Sequence, residues 1–224
     1  MSGRGLGGPG GPGVRIALIS ATPAAIAPAA AGLAAAFPAA RPWNLLDDAL
    51  LSDADAAGGL TPALADRMRR LIAYAVEGGA QGVLLTCSLY GPVATDADAG
   101  VPVLAADAAV FASALGGGHR EVLVLATFAA ALDDTVDRLR ASARAARSPT
   151  RIVGQVIAPG AVPDPGAADA VLLAQYSLAP HADALAEALG LPVHAGPHAA
   201  ARALRTAVRN ATDGLTEGSI PCSE

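Results

Sequence analysis

The sequence predicts an α/β protein of two pseudo-symmetric Rossmann-like lobes, each a mostly parallel sheet flanked by helices, with a ligand site in the interlobe cleft. Two observations predict this fold. Short apolar runs alternate with longer Ala-, Leu- and Arg-rich stretches of helical character, which is typical of parallel strands joined by crossover helices. In addition, three blocks of sequence recur once each, in the same order.

The individual strands and helices follow from the local sequence. Short apolar runs predict seven strands, at residues 14–20, 82–86, 101–105, 121–126, 151–157, 170–174 and 191–194. The clearest helices are predicted at residues 62–77, 129–146, 180–189 and 198–210. Glycine follows the first and third of these helices at positions 78 and 190, where it commonly ends a helix.

The recurring blocks predict a duplicated fold. Each block of the first half matches one of the second half, in the pairs 21–25 with 126–130, 83–92 with 171–180, and 100–103 with 190–193. The matches divide the chain into a first lobe and a second lobe, at residues 14–106 with 195–211 and at residues 107–194. The chain ends are rich in small and polar residues and predict a disordered leader and a flexible tail, at residues 1–13 and 212–224.

Composition excludes several classes of function. The 224 residues contain no lysine and carry a net charge of -5, which excludes a lysine Schiff base, a pyridoxal enzyme and a Walker-type phosphate lysine. Only 3% of the residues are aromatic and no basic patch occurs, so nucleic acid is not expected as a partner. The sequence leaves open whether the protein forms a homo-oligomer.

One uncharged segment raises the question of export. Residues 16–37 follow basic residues, as a signal or membrane segment would, but they are mostly alanine and include Pro23 and Pro28. We therefore assign them to a strand and a helix and expect no membrane partner. The two cysteines, Cys87 and Cys222, show no disulfide or metal-ligand spacing, which favours free thiols in the cytoplasm and no metal site.

Polar residues follow several of the predicted strands. Ligands of open parallel sheets bind beyond the carboxyl ends of the strands, where helix N-termini present free N–H groups. In the predicted first lobe these positions are Ser20, Thr22, Thr86, Cys87 and Ser88, and in the second lobe they are Thr127, Gln175, Tyr176 and Ser177. We expect these residues to line the cleft and to bind the ligand.

Cys87 is the candidate catalytic residue. It lies between a predicted strand and a predicted helix start, where free N–H groups stabilise a thiolate that can act as a base or nucleophile. The hydroxyls of Thr86 and Ser88 are placed to hold a carboxylate or a developing oxyanion. Position alone leaves a second interpretation open, in which Cys87 is a small apolar residue at the end of a buried strand.

Residues 83–92, with Thr-Cys-Ser at a strand end, resemble the first cysteine motif of the aspartate/glutamate racemase superfamily, which includes hydantoin racemases, maleate isomerases and arylmalonate decarboxylases. Residues 171–180 resemble the segment that carries the second cysteine motif, and the resemblance extends over residues 14–210. It implies a cofactor-independent enzyme that holds a small carboxylic acid between its lobes. The substrate would be of the amino acid, hydantoin, maleate or malonate type.

The sequence departs from the racemase pattern at the second cysteine. The gapless match places Gln175 there, and an amide does not exchange protons at neutral pH. Two-sided proton transfer would then need Tyr176 or His194 as the second acid/base group. For His194, the simpler interpretation is a polar residue that lines the cleft. One-sided chemistry stays open, as a decarboxylation in which Cys87 protonates an enediolate or an isomerisation in which it is the nucleophile. The alternative is a catalytically degenerate protein that only binds a small carboxylate or amide metabolite.

Overall fold

The computed structural model describes residues 13–217, with side chains through residue 213. Apart from Gly13, the predicted leader lies outside the described residues. The described chain forms two four-stranded sheets in which all paired strands are parallel, with helices flanking both sheets. The predicted α/β class and its two similar sheets are therefore confirmed.

The first sheet has the strand order β2-β1-β3-β4. Its strands are β1, β2, β3 and β4, at Val14–Ser20, Ala40–Leu46, Gly82–Leu85 and Val103–Ala105. β3 is buried along its whole length and β1 from its third residue onward, as expected of strands with covered faces. β2 was not predicted from the sequence, because it is a half-exposed edge strand interrupted by Arg41 and Pro42.

The second sheet repeats this arrangement with the order β6-β5-β7-β8. Its strands are β5, β6, β7 and β8, at Glu121–Ala126, Arg151–Val156, Ala170–Leu173 and Val193–Ala195. In both sheets the second strand occupies one edge, and the third and fourth strands follow on the other side of the first. This shared order is the pseudo-symmetry that the internal repeat predicts.

Helices connect the strands and cover the sheets. They are α1 to α8, at Ile26–Ala36, Leu50–Ala57, Pro62–Glu77, Gly91–Thr95, Ala108–Gly116, Ala129–Ala145, Ala182–Leu189 and Gly196–Glu217. Short 3-10 helices lie at Pro23–Ala25, Ser88–Tyr90 and Tyr176–His181. Within the described part of the chain, no helix has both the length and the apolar character needed to cross a membrane.

The helix ends show the expected chemistry. The Thr61 hydroxyl caps α3 by accepting the N–H of Leu64 at 3.3 Å, and Pro62 occupies the first helical position. Gly190 ends α7 in the left-handed conformation, with φ of 63°. α8 continues to Glu217, so residues 212–217 of the predicted flexible tail are helical, and the rest of that tail lies outside the described residues.

α8 returns from the second sheet to pack against α1 on the first. Leu33 of α1 and Leu204 of α8 are fully buried in one cluster with Leu18 of β1. The two helices approach closely at Gly32, where an added Cβ would lie 2.6 Å from the backbone carbonyl carbon of Pro197. The core beneath the first sheet is therefore built by segments from both ends of the described chain.

Backbone hydrogen bonds test the alignment of the repeat. The N–H of Val83 donates to the Pro102 carbonyl at 2.8 Å, and the N–H of Val171 donates to the Pro192 carbonyl at 2.9 Å. These equivalent bonds confirm the second and third blocks of the repeat. The gapless match of residues 83–92 with 171–180 therefore makes position 87 structurally equivalent to position 175.

The first block of the repeat is shifted by one residue. The Ser20 carbonyl accepts the N–H of the residue that follows β2, and the Ala126 carbonyl accepts the N–H of the residue that follows β6. Ser20 is therefore equivalent to Ala126, which makes Thr22 equivalent to Phe128 rather than to Thr127. The Ala-Thr pairs aligned in the sequence therefore do not occupy equivalent positions. The sequence match was misleading because both segments are rich in alanine and align easily in more than one register.

Candidate active site

A cleft of about 490 Å³ lies at the carboxyl ends of strands from both sheets. Seven of the predicted site residues line it, namely Thr22, Thr86, Cys87, Ser88, Gln175, Tyr176 and Ser177. Much of the remaining wall is apolar and includes Leu51, Val110, Phe111, Phe128 and Leu172. The structure thus brings together strand-end residues that are about 90 positions apart in the sequence.

Cys87 is the thiol that faces this cleft. It has an extended backbone, with φ of -111° and ψ of 121°, and directly precedes the 3-10 helix at Ser88–Tyr90. The backbone N–H groups of Leu89 and Tyr90 lower its pKa, although the thiol forms no well-aligned capping hydrogen bond. Burial has the larger effect and raises the pKa of Cys87 above its ordinary value. The resting group at neutral pH is therefore a thiol, because burial outweighs the N–H groups that the sequence analysis considered as stabilising a thiolate.

Gln175 occupies the equivalent position in the second half. Its backbone is also extended, with φ of -127° and ψ of 143°, and it precedes the 3-10 helix at Tyr176–His181. Its side-chain Oε1 accepts the backbone N–H of Thr127 at 2.8 Å and lies 3.0 Å from Thr127 Oγ1. Because the backbone N–H can only donate, the atom it meets is the amide oxygen, and Nε2 remains as a donor.

Three predicted binding residues do not line the cleft. Ser20 is fully buried, with its Oγ 2.9 Å from Thr86 Oγ1, and Thr127 is engaged with Gln175. His194 lies 3.2 Å from both Ser113 of α5 and His119, because its side chain projects toward these two residues instead of into the cleft. Thr86 lines the cleft, but its hydroxyl bonds inward.

Neither residue considered as a second acid or base is placed for that role. His194 lies outside the cleft lining. Tyr176 lines the cleft with its ring, but its hydroxyl donates to the Ala106 carbonyl at 3.2 Å, and burial raises its pKa. An added Cβ at Gly196 would lie 2.6 Å from Tyr176 Cε1, so glycine at this position leaves room for the ring. Tyr176 is therefore a packing residue that joins the two halves.

Charged residues of the cleft were missed by the sequence analysis. Asp107 and Asp134 line it, and both pair with Arg138 of α6, which lies behind them. Burial raises the pKa of Asp134. The sequence offered one usable signal, since residues 134 and 138 are four apart and face the same side of a helix. It gave no reason to place that side against the cleft.

Neutral groups supply most of the hydrogen-bond donors. No Arg or His side chain that the structure describes lines the cleft. The Thr22 hydroxyl caps no helix, although Thr22 directly precedes the 3-10 helix at Pro23–Ala25. α6 begins at the cleft, where Phe128 and the first-turn residues Ala130 and Ala131 line the wall, and a helix N-terminus favours negative charge. The site can therefore hold an anionic oxygen through hydroxyl, amide and backbone groups.

No protein-family model matches the chain, and no curated protein matches it either. Solved structures do match. Aspartate racemase from Picrophilus torridus is 15% identical with a TM-score of 0.65, over 88% of this chain and 95% of that chain. A maleate isomerase from Pseudomonas putida S16 is 16% identical with a TM-score of 0.57, over 88% and 93%. Unliganded arylmalonate decarboxylase is 20% identical with a TM-score of 0.52, over 89% and 93%.

The matched regions span nearly the whole described chain and most of the length of each similar structure. They include a racemase, an isomerase and a decarboxylase, so one fold carries several reactions and does not by itself select among them. The resemblance found in residues 83–92 and 171–180 agrees with this match. The chain therefore has the fold of the aspartate/glutamate racemase superfamily.

Proposed function

We propose that the protein is a cofactor-independent enzyme that acts on a small carboxylic acid, as an isomerase, racemase or decarboxylase, with Cys87 as the reacting group. One observation carries the proposal: a partly buried thiol faces a cleft between two similar sheets, at the carboxyl end of β3. The enzymes named for the three similar structures support this range of reactions.

The carboxylate is held by neutral donors. The hydroxyls of Thr22, Ser88 and Ser177 and the Nε2 of Gln175 belong to residues that line one cleft. Donors fixed in place before the reaction stabilise an oxyanion in a water-poor site, because they need no reorganisation as charge develops. We assign substrate binding to these four of the residues predicted from the sequence, because all four line the cleft.

The protonation state of Cys87 favours the decarboxylation version. Loss of carbon dioxide leaves an enediolate, and a neutral thiol can then donate its proton to the carbanionic carbon, after which solvent reprotonates the sulfur. The apolar wall near Phe111 and Phe128 would hold the leaving carboxylate in poor solvation, which favours its release. In the isomerisation version Cys87 must first lose its proton before it adds to a double bond.

A binding function is the second candidate, and the fixed amide of Gln175 favours it. Two hydrogen bonds from Thr127 orient Oε1 and leave Nε2 to recognise an acceptor on a ligand. A side chain held in this way can recognise a ligand by hydrogen bonding, but its amide cannot transfer a proton. Under this alternative the cleft binds a carboxylate or amide metabolite without converting it.

The experiment compares wild type, Cys87→Ser and the control Cys222→Ser. Alkyl- and arylmalonates are assayed for carbon dioxide release, maleate for conversion to fumarate, and amino acids and hydantoins for deuterium exchange in heavy water. Turnover is expected in one class, unchanged in the control and about 100-fold lower or worse in Cys87→Ser. Unchanged turnover in Cys87→Ser would remove Cys87 from the mechanism. Binding of a panel member by calorimetry without turnover in wild type would establish the binding function.

A further inference from the structure

Arg138 of α6 is a partly buried cation behind the wall of the cleft. Its Nε donates to Asp134 Oδ2 at 3.0 Å, and a second nitrogen pairs with Asp107 at the start of α5. The guanidinium carbon also lies 5.4 Å from the centre of the Phe111 ring. Asp107, Asp134 and Phe111 all line the cleft. Two helices therefore hold this guanidinium in one place, directly against the site.

One nitrogen of this guanidinium is left without an acceptor. Nη2 of Arg138 is buried and, among the described residues, has no hydrogen-bond partner. It lies 3.0 Å from Asp134 Oδ2, but its N–H groups are not aligned for a hydrogen bond to that oxygen. Buried guanidinium donors are costly to leave unsatisfied. Arg138 therefore has a donor nitrogen that its two carboxylates leave unused.

We propose that Arg138, anchored by Asp107 and Asp134, is the positioning residue that stabilises negative charge on Cys87. This proposal extends the proposed function and rests on its assignment of Cys87 as the reacting group. In either reaction version Cys87 passes through a thiolate, as the nucleophile or after it has given its proton away. The chain contains no lysine that could stabilise such a charge.

The electrostatics of the cleft agree with this role. The charge of Arg138 lowers the pKa of Cys87, whereas Asp134 raises it. Burial lowers the pKa of Arg138, and a negative charge on Cys87, once the thiolate forms, opposes this lowering. Besides Asp107 and Asp134, Asp55 of α2 also lines the cleft. Arg138 is thus the cation that counters the burial of the thiol and the acidic groups around it.

The test needs no substrate. In a Cys222→Ser background, which leaves Cys87 as the single thiol of the chain, iodoacetamide alkylation is followed by mass spectrometry across a pH series. Arg138→Gln is expected to raise the thiol pKa and to slow alkylation about tenfold near neutral pH, as one unit of pKa requires. The matched control is Arg144→Gln, which removes an exposed charge from the last turn of the same helix and should leave the profile unchanged.

Two further variants separate charge from packing. Arg138→Lys keeps the positive charge and is expected to restore most of the alkylation rate, whereas a packing role predicts that Lys and Gln are equally harmful. Asp134→Asn removes a negative charge and is expected to speed alkylation. This variant tests the direction of the electrostatic effect on alkylation even if Arg138→Gln unfolds at too low a temperature to be studied. The proposal is overturned when Arg138→Gln matches Arg144→Gln, when Lys fails to rescue a folded protein, or when Asp134→Asn slows the reaction. Because no turnover is measured, these outcomes leave the separate Cys87→Ser test unaffected.

Discussion

Replacing Gly196 by alanine tests the packing of the Tyr176 ring against the start of α8, where the two halves meet. Gly196 is the first residue of α8 and lies against the ring of Tyr176, which is 7% exposed. A Cβ at position 196 would lie 2.6 Å from Tyr176 Cε1, 3.2 Å from Cδ1 and 3.4 Å from the Ala106 carbonyl oxygen. The ring must move by about 1 Å to restore ordinary carbon contacts. Such a movement breaks the hydrogen bond from the Tyr176 hydroxyl to Ala106.

The expected loss of stability follows from these contacts. Overpacking of a buried ring costs about 1–3 kcal/mol, and loss of the hydrogen bond costs about 1 kcal/mol more. The helix propensity of alanine returns at most about 1 kcal/mol. The free energy of unfolding is therefore expected to fall by about 2 kcal/mol, which lowers Tm by about 4–8 °C in a chain of this size. The same movement displaces a residue of the cleft wall.

Thermal unfolding followed by circular dichroism measures the effect. The matched control is Gly116→Ala at the end of α5, where an added Cβ meets no atom within 4 Å, so this variant is expected to equal or exceed wild type. Tyr176→Phe isolates the hydrogen bond and is expected to lose about 1 kcal/mol. Equal melting temperatures of Gly196→Ala and Gly116→Ala would refute the close packing of Tyr176 against α8.

Two other predictions concern the second half of the molecule. Gln175→Cys places a second thiol in the wall of the cleft that Cys87 also lines. It is expected to create deuterium exchange at the α-carbon of amino acids or hydantoins in heavy water, measured by NMR. Equal exchange in Gln175→Ser would contradict the equivalence of positions 87 and 175. The backbone N–H groups of Glu121 and Arg120 lower the pKa of Asp169 from 3.8 to about 2. Its stabilising contribution is therefore present above the unfolded pKa and is lost as the pH falls toward 2. Asp169→Asn should reduce stability at neutral pH and flatten its decline between about pH 4 and pH 2, measured by urea unfolding; an unchanged slope would contradict this role.

The sequence predicted the elements whose patterns are strong. β1, α3 and β5 have the expected bounds, because their apolar runs and end residues agree with one another. The edge strand β2 could not be found in this way, since an edge strand tolerates proline and charge and shows no continuous apolar run. Local pattern therefore identifies central strands and capped helices better than it identifies sheet edges.

The candidate site was predictable where it depends on strand ends. Cys87 and Gln175 were correctly expected at equivalent positions, because the match of residues 83–92 with 171–180 has no gap. Arg138 and Asp134 were not expected, since Asp and Arg on an amphipathic helix usually face solvent. The contact of Asp134 with the cleft, and the position of Arg138 behind the wall, depend on how α6 packs beside α5, which is a tertiary property. The side-chain direction of His194 is tertiary in the same sense.

The two halves share a backbone arrangement but differ in what surrounds the equivalent positions 87 and 175. In the second half, Thr127 fixes the amide of Gln175 with its N–H and hydroxyl. The residue equivalent to Thr127 in the first half is Ala21, which has no hydroxyl to engage Cys87. The hydroxyl contact that helps to fix the Gln175 amide therefore has no counterpart at Cys87. Because Thr127 provides an N–H and a hydroxyl as donors, we expect these groups to stabilise the second thiolate that Gln175→Cys would introduce.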